Sequence, residues 1–91
     1  MRLVKETNRF SKDFKRAIKR GKNPDKLLLI VQWLANDVEL PTSHCLHKLS
    51  GKWHNNWECH IEPDWLLIFS YEEDGTIIRL QRTGSHTDLF E

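Results

Sequence analysis

The chain has 91 residues, 38% of them apolar, and a formal net charge of +1, which favours one small domain over residues 1–91. No stretch approaches the ~18 consecutive apolar residues of a membrane span. No charged segment followed by an apolar one opens the chain, so we expect a cytoplasmic protein without a signal peptide. Cys45 and Cys59 form no CxxC pattern and are expected to be free thiols.

The charges are distributed unevenly along the chain. Residues 1–26 hold ten Lys or Arg against three Asp or Glu, a net charge of +7. Residues 27–91 hold four against ten, a net charge of −6. A basic segment of this density favours an anionic partner, either a polyanion or an acidic protein. The alternative is a solvated helix face.

Two helices are predicted in the first half of the chain, after a short strand over residues 2–6. The first has a basic outer surface, ends near Gly21 and carries an apolar stripe with helical spacing: Phe10, Phe14, Ala17 and Ile18. Pro24 begins the second, whose stripe is wider: Leu27, Leu28, Ile30, Val31, Leu34 and Ala35. A tight turn joins the two helices into an antiparallel hairpin, which needs a sheet or another helix to cover its apolar face.

Three strands are predicted in the second half, over residues 57–62, 65–71 and 76–82. The apolar run that begins at Trp65 is typical of a strand buried on both faces, and residues 72–75 form a hairpin turn. The order β-α-α-β-β-β favours an α+β fold, in which a small twisted antiparallel sheet carries the helical hairpin on one face. The other face is expected to be partly open, with His60 lining it.

Histidine is unusually frequent in this chain. Four of the five histidines lie between positions 44 and 60, and the fifth is His86. Imidazole, with an ordinary pKa of ~6.5, can both give and take protons near neutral pH. Cleavage of RNA by the neighbouring 2′-OH needs one group to remove the 2′ proton and another to protonate the 5′ oxygen, and two His, or a His and an Asp, can supply both. Three cations could stabilise charge on the phosphorane: Lys48, Lys52 and Arg82.

Simpler explanations exist for most of these residues. Asp64 follows a proline, which is typical of a turn, and His44 and His54 are expected to be solvated loop residues. Zinc is the main alternative for the cluster, with five candidate ligands: His44, Cys45, His47, Cys59 and His60. Their spacing matches no strong zinc pattern. Three tryptophans could stack on bases or pack in the core, and core packing is favoured for the last two: Trp53, Trp57 and Trp65.

Three stretches of sequence resemble the YafQ branch of the RelE/ParE toxin superfamily. They are HKLSGKW at 47–53, ECHIEPDWLLI at 58–68, and RTGSH at 82–86 followed by Leu89 and Phe90. Residues 11–15 in the first helix also fit, so the resemblance extends over nearly the whole chain. The second and third stretches together make it specific.

The resemblance implies a toxin of a bacterial type II toxin–antitoxin pair, with a small twisted sheet and two helices packed on it. Members of this branch are endoribonucleases that cut mRNA on the ribosome, without a cofactor, and are neutralised by a cognate antitoxin protein. Four positions match the active-site residues of the branch: His47, His60, Asp64 and His86. Phe90 matches a terminal aromatic residue near them.

The roles expected from the resemblance are these: His86 as general acid, His47 or His60 as base or charge stabiliser, and Asp64 as the residue that orients a His. Lys48, Lys52, Arg82 and Phe90 would contact RNA, and the basic face of the first helix would meet ribosomal RNA. The chain departs from the branch at Trp57, where a basic residue is usual, and at Asn55, which is often Gly. The alternative is a ParE-like toxin that acts on gyrase by protein binding and does not cleave RNA.

Overall fold

The structure, a computed structural model, describes residues 1–90. Five strands and three helices follow one another within these residues: β1 (Leu3–Glu6), α1 (Asn8–Lys19), α2 (Pro24–Ala35), β2 (His47–Lys48), β3 (Trp57–Glu62), β4 (Trp65–Glu72), β5 (Ile77–Gly84) and α3 (His86–Phe90). Short 3-10 turns at Thr42–His44 and Gly51–Trp53 flank β2. The α+β class is confirmed, and β2 and α3 are additions to the predicted order. None of the helices within residues 1–90 is long and apolar enough to cross a membrane.

The five strands form one sheet in the order β1-β5-β4-β3-β2. The pairs β2–β3, β3–β4 and β4–β5 are antiparallel, as expected, whereas β1 pairs with β5 in parallel. The two helices α1 and α2 separate β1 from the other strands along the chain, and β1 lies at the edge of the sheet beside the last strand, β5. The sheet is therefore mixed, which corrects the prediction of a purely antiparallel one.

The central strand β4 is buried on both faces, as its uninterrupted apolar run predicts. Leu66, Leu67, Ile68 and Phe69 are all fully buried. Trp65, Leu67 and Phe69 pack in the main core with buried side chains of α1 and α2. The predicted packing of the helical hairpin on one face of the sheet is confirmed by this cluster.

The buried stripe of α1 differs from the predicted one at two positions. Ile18 is 46% exposed, whereas Asp13 is only 3% exposed. Asp13 lies one turn after Phe10 and one turn before Ala17, on the same helix face. A carboxylate can occupy that face because it is paired: Arg82 of β5 donates to it from Nε at 2.6 Å and from Nη2 at 3.1 Å.

The opposite face of the sheet is not open along its whole length. A second apolar cluster forms there from Leu66 and Ile68 of β4 and Leu89 of α3, with Leu49 and Trp53 packed against it. The prediction of a partly open face therefore holds at His60, whose side chain is 22% exposed. The covering elements, α3 and the loop around Trp53, leave the polar side chains of β3 at the rim of this cluster.

Candidate active site

A buried carboxylate on β3 lies between two imidazoles. Glu58 pairs across the sheet with His47 of β2 and Ile68 of β4, while His60 pairs with Leu66. The Oε1 atom of Glu58 is 3.4 Å from Nε2 of His47 and 3.6 Å from Nε2 of His60. Its side chain is only 6% exposed. The alternation of β3 directs Glu58 and His60 to the same face of the sheet.

A second carboxylate–imidazole pair joins the β3–β4 turn to the start of α3. The Nδ1 atom of His86 is 2.8 Å from Oδ1 of Asp64, and the same oxygen accepts the backbone N–H of His86 at 3.0 Å. These two hydrogen bonds, the backbone one foremost, hold the pKa of Asp64 below its usual range. Because a carboxylate accepts hydrogen bonds, Nδ1 of His86 carries a proton, and Nε2 is left for a substrate.

The two pairs meet at His60 and His86, whose ring centroids are 5.7 Å apart. The result is a continuous row across two strands, the β3–β4 turn and a helix: His47, Glu58, His60, His86 and Asp64. The four predicted catalytic residues therefore lie together on one rim. Their catalytic roles remain a prediction, because proximity alone does not assign a proton donor or acceptor.

Glu58 is the member of the row to which the sequence interpretation gave no role. Its position on the same face as His60 follows from the two-residue period of the strand. The period does not predict that Glu58 is buried, because a glutamate in an alternating strand is most often exposed to solvent. The signal that points to it is its place two residues before His60 in a strand whose opposite face is apolar.

Backbone carbonyl groups fix the tautomers of two histidines. The Nδ1 atom of His47 lies 2.7 Å from the carbonyl oxygen of Cys45, and Nδ1 of His44 lies 2.6 Å from that of His60. A carbonyl only accepts, so each Nδ1 donates. His47 thus presents Nε2 to Glu58. His44, which was expected to be solvated, is instead half-buried and lies edge-on to Trp33.

The N-terminus of α3, where His86 lies, is held by a capping box. The backbone N–H of Ser85 donates to Asp88 at 3.0 Å, and the backbone N–H of Asp88 donates to the Ser85 hydroxyl at 3.1 Å. Arg20, the C-cap residue of α1, binds the same carboxylate at 2.6 Å. A Cβ on Gly84 would lie 2.9 Å from Asp88, so glycine lets β5 pass close to this cap. Helix α1 therefore helps to position His86 through Asp88.

Asp88 is expected to make the stability of the protein pH-dependent. Its pKa lies well below its usual range, first because Arg20 donates to it and then because of the Ser85 amide. A carboxyl group with a lowered folded-state pKa stabilises the fold above its unfolded-state pKa, and this contribution is lost as the pH falls toward the folded-state value. The urea midpoint of Asp88→Asn should therefore lie below the wild-type midpoint near pH 7, and the two should approach each other from about pH 4 downward.

Asp37→Asn is the control for this prediction. Asp37 also pairs with an arginine, Arg2 at 3.1 Å, but its side chain is 87% exposed, so its removal should change the midpoint little at any pH. A difference between Asp88→Asn and wild type that stays constant down to about pH 2 would show that the charge of Asp88 is not what stabilises the cap.

The predicted RNA contacts lie in different surroundings. Lys48 is exposed beside His47 in β2, and Lys52 is exposed in the 3-10 turn before Trp53. Phe90 is 41% exposed, and its ring centroid is 6.3 Å from that of His86. Arg82 is only 11% exposed and bound to Asp13 through Nε and Nη2. A phosphate contact by Arg82, which remains a prediction, is thus limited to what its remaining N–H groups can reach.

Half of the basic residues in the N-terminal segment pair with carboxylates of the same chain. Five of the ten Lys and Arg in residues 1–26 form ion pairs with carboxylates: Arg2, Arg16, Arg20, Lys22 and Lys26. Within residues 1–90, five others make no ion pair: Lys5, Arg9, Lys12, Lys15 and Lys19. The surface available to a polyanion is therefore smaller than the sequence charge suggests.

The residues proposed as zinc ligands do not assemble into one cluster. Residues 1–90 contain no group of three or more His, Cys, Asp or Glu with the geometry of a metal site. Cys59 is packed in the main core under the helices, and burial raises the pKa of its thiol to about 12. Cys45 is exposed, and both cysteines are free thiols, as expected.

The sequence and the fold correspond to a known class of protein. Residues 2–91 match the family described as "Bacterial toxin of type II toxin-antitoxin system, YafQ". The class is that of bacterial toxins from type II toxin–antitoxin systems. Within this class, the chain belongs to the YafQ family, which confirms the resemblance of its three sequence stretches.

Three relatives indicate how close the similarity is. An Escherichia coli K12 protein named "mRNA interferase toxin YafQ" is 37% identical over 90 residues, which cover 98% of this chain and 96% of the relative. YafQ in the crystal structure of the E. coli DinJ–YafQ complex has a TM-score of 0.89 and 36% identity, with both chains fully covered. A metal-bound toxin from Helicobacter pylori has a TM-score of 0.92 and 32% identity, with 99% of this chain and 100% of that one covered.

Proposed function

We propose that this chain is an endoribonuclease that inhibits translation by cleaving mRNA on the ribosome. The observation that carries this proposal is the row of three imidazoles and two carboxylates, in which His60 faces His86 at 5.7 Å. The name of the E. coli relative, an mRNA interferase, supports the same activity. Such a row offers an acid and a base within reach of one phosphodiester.

In this proposal the 2′ oxygen of the substrate attacks the adjacent phosphorus. A bond forms between the 2′ oxygen and phosphorus, and the bond from phosphorus to the 5′ oxygen of the next nucleotide breaks. The 2′ proton goes to a base of the protein, and the 5′ oxygen receives a proton from an acid. The products are a 2′,3′-cyclic phosphate and a free 5′-hydroxyl, so proton transfer and charge stabilisation are the only tasks of the protein.

His86 is the acid in this mechanism. Its Nδ1 proton is held by Asp64 at 2.8 Å, which leaves Nε2 to donate a proton to the departing 5′ oxygen. The Asp64 carboxylate stabilises the doubly protonated ring before the transfer, and its lowered pKa keeps it charged in that role. The side chain of His86 is 55% exposed, so a bound RNA strand can reach it.

His60 and Glu58 act together as the base. Glu58 is buried and 3.6 Å from Nε2 of His60, so its negative charge stabilises the imidazolium that forms when His60 takes the proton of the 2′-OH. His47 contacts the same carboxylate at 3.4 Å and is fixed through Nδ1 by a carbonyl group. Both of its ring nitrogens have partners within the protein, so in the doubly protonated form it acts on the phosphorane through its charge alone.

The proposed reaction needs no metal ion, since His86, His60 and His47 supply the acid, the base and the positive charge. The H. pylori relative was crystallised with a metal bound, so this is a property to test. A cognate antitoxin is proposed as the protein partner, because the E. coli relative forms a complex with DinJ. The toxin would act in the cytoplasm, where mRNA is translated.

Mapping of cleavage positions on translated mRNA tests the proposed function. Primer extension should find discrete new 5′ ends on a message translated in the presence of the toxin, and none on the same transcript when initiation is blocked. Toxin passed over a chelating resin should give the same ends when the Mg²⁺ needed by the ribosomes is kept. Growth arrest without new 5′ ends, together with accumulation of gyrase–DNA breaks, would overturn the proposal in favour of ParE-like action.

A further inference from the structure

The outer edge of β3 is covered at His60 by a turn and not by a strand. Strand β2 pairs with β3 only at Trp57 and Glu58, so within residues 1–90 no strand continues along this edge beside His60. The 3-10 turn Thr42–His44 lies against β3 instead. The carbonyl oxygen of His60 accepts a hydrogen bond from Nδ1 of His44 at 2.6 Å. A backbone group at the edge of a sheet needs such a partner, and the turn supplies it through a side chain.

The other edge of β3 is irregular at the same place. His60 pairs with Leu66 of β4, whereas Glu62 pairs with Trp65, so two steps along β3 correspond to one step along β4. Such a β-bulge interrupts the ladder locally and changes the direction of the side chains beside it. The hydrogen bond from His44 therefore holds the peptide group of His60 where pairing with β4 is interrupted.

His44 is itself supported by the hydrophobic core. Its half-buried ring lies edge-on to Trp33 of α2, with ring centroids 6.2 Å apart and an interplanar angle of 64°. Trp33 in turn packs against the main core cluster. A side chain whose rotamer is locked by packing can hold a neighbouring reactive group within the narrow tolerance that catalysis needs.

The residue after His44 holds the second imidazole that flanks Glu58. Cys45 has a left-handed backbone conformation, with φ 49° and ψ 44°, and its carbonyl oxygen lies 2.7 Å from Nδ1 of His47. One short turn therefore fixes both imidazoles, His60 through a side chain and His47 through the main chain. The proposed cleavage mechanism gives His44 no role, although it makes the first of these two contacts.

We propose that His44 is a positioning residue for the cleavage reaction. By holding the carbonyl group of His60, it keeps the His60 imidazole aligned with Glu58 and with His86. This inference rests on the proposed function, in which His60 takes the proton of the 2′-OH. His44 acts through the backbone of His60, and it does so in either protonation state, because Nδ1 donates whether or not Nε2 carries a proton.

His44→Phe and His44→Asn separate the donor of His44 from its ring. Phenylalanine keeps a ring beside Trp33 without a donor, whereas asparagine lacks the ring and has an N–H donor at the position of Nδ1. In single-turnover cleavage of ribosome-bound mRNA, His44→Phe should lower the maximal rate about 10–100-fold and His44→Asn less than about three-fold, because small displacements of a reacting group are costly. The toxin concentration that gives half the maximal rate should not change. Cleavage by His44→Phe at the wild-type rate, or by His44→Asn as slowly as by His44→Phe, would overturn the role.

A cycle with His60→Ala tests whether His44 acts through His60. In that background His44→Phe should slow cleavage no further, because the imidazole that His44 positions is absent. An equal loss in both backgrounds would show that the turn supports only the fold, and the positioning role would be wrong. The matched control is His54→Phe, which makes the same exchange at an exposed histidine outside the row and should leave the rate unchanged.

The tautomer of His44 tests the hydrogen bond without a measurement of activity. At about pH 8.5, where imidazoles are normally neutral, ¹⁵N NMR of wild-type toxin should place the proton of His44 on Nδ1. A proton on Nε2 alone would overturn the proposal, even if His44→Phe did not fold. If wild type leaves the translated message intact, the proposed function fails and the positioning role fails with it. Undiminished cleavage by His44→Phe, in contrast, overturns the positioning role alone.

Discussion

Replacement of His86 with alanine is expected to lower the rate of mRNA cleavage by ~10²–10⁴-fold, the usual contribution of a positioned general acid, and to abolish growth arrest. The fold should persist, because the side chain is 55% exposed and the cap of α3 is made by Ser85 and Asp88. Single-turnover cleavage of ribosome-bound mRNA measures the rate, and thermal unfolding of the same preparation measures the fold.

Two further variants give this prediction its specificity. His54→Ala removes another exposed histidine, one that lies outside the row, and should leave the cleavage rate unchanged. Asp64→Asn keeps the acid but replaces the carboxylate that orients it, so we expect a smaller loss of cleavage rate than from His86→Ala. Wild-type toxicity of His86→Ala would remove His86 from the mechanism.

The convergence of His60 and His86 follows from features that can be predicted from the sequence. Strands β3 and β5 both pair with β4, and Leu66 of β4 is the cross-strand partner of His60 on one side and of Gly84 on the other. Two hairpin signals and one apolar run are enough to predict this meander. Any polar residue at the end of β3 and any residue just after β5 are then brought to the same rim.

The partners of buried charges could not be predicted in this way. Periodicity assigns a residue to a face but does not say which distant residue it meets, so Asp13 was not expected to be buried, nor Arg82, 69 positions away in the chain, to be its partner. The same limitation applies to Glu58, because one of its two partners, His47, lies in strand β2, which was not predicted. Parallel pairing of β1 was missed for a related reason, because its partner strand is the last one in the chain.

The ion pair between Asp13 and Arg82 leads to the largest expected effect on stability. Asp13→Ala should lower the free energy of unfolding by ~3–5 kcal/mol, the usual cost of removing one partner of a buried ion pair. The carboxylate is 3% exposed and the guanidinium 11%, so the charge left on Arg82 would have little access to water. The backbone N–H of Thr83 would also lose its acceptor, Oδ2 of Asp13 at 3.2 Å. Urea unfolding near neutral pH gives the value.

A double variant distinguishes the structural role of Arg82 from the phosphate contact expected from the sequence. Asp13→Leu with Arg82→Met removes both buried charges and should recover most of the stability that Asp13→Ala loses, since the other partner of Asp13, Arg16, is 45% exposed and remains hydrated. If the double variant is stable and still cleaves mRNA, Arg82 serves the fold and not the substrate. If it is stable but inactive, the guanidinium also reaches the RNA, through the N–H groups that Asp13 does not occupy. The control is Asp25→Ala, which removes an exposed aspartate of α2 and should lower the free energy of unfolding by no more than ~1 kcal/mol. If Asp13→Ala and Asp25→Ala lower the free energy of unfolding equally, Asp13 is not a buried charge in solution.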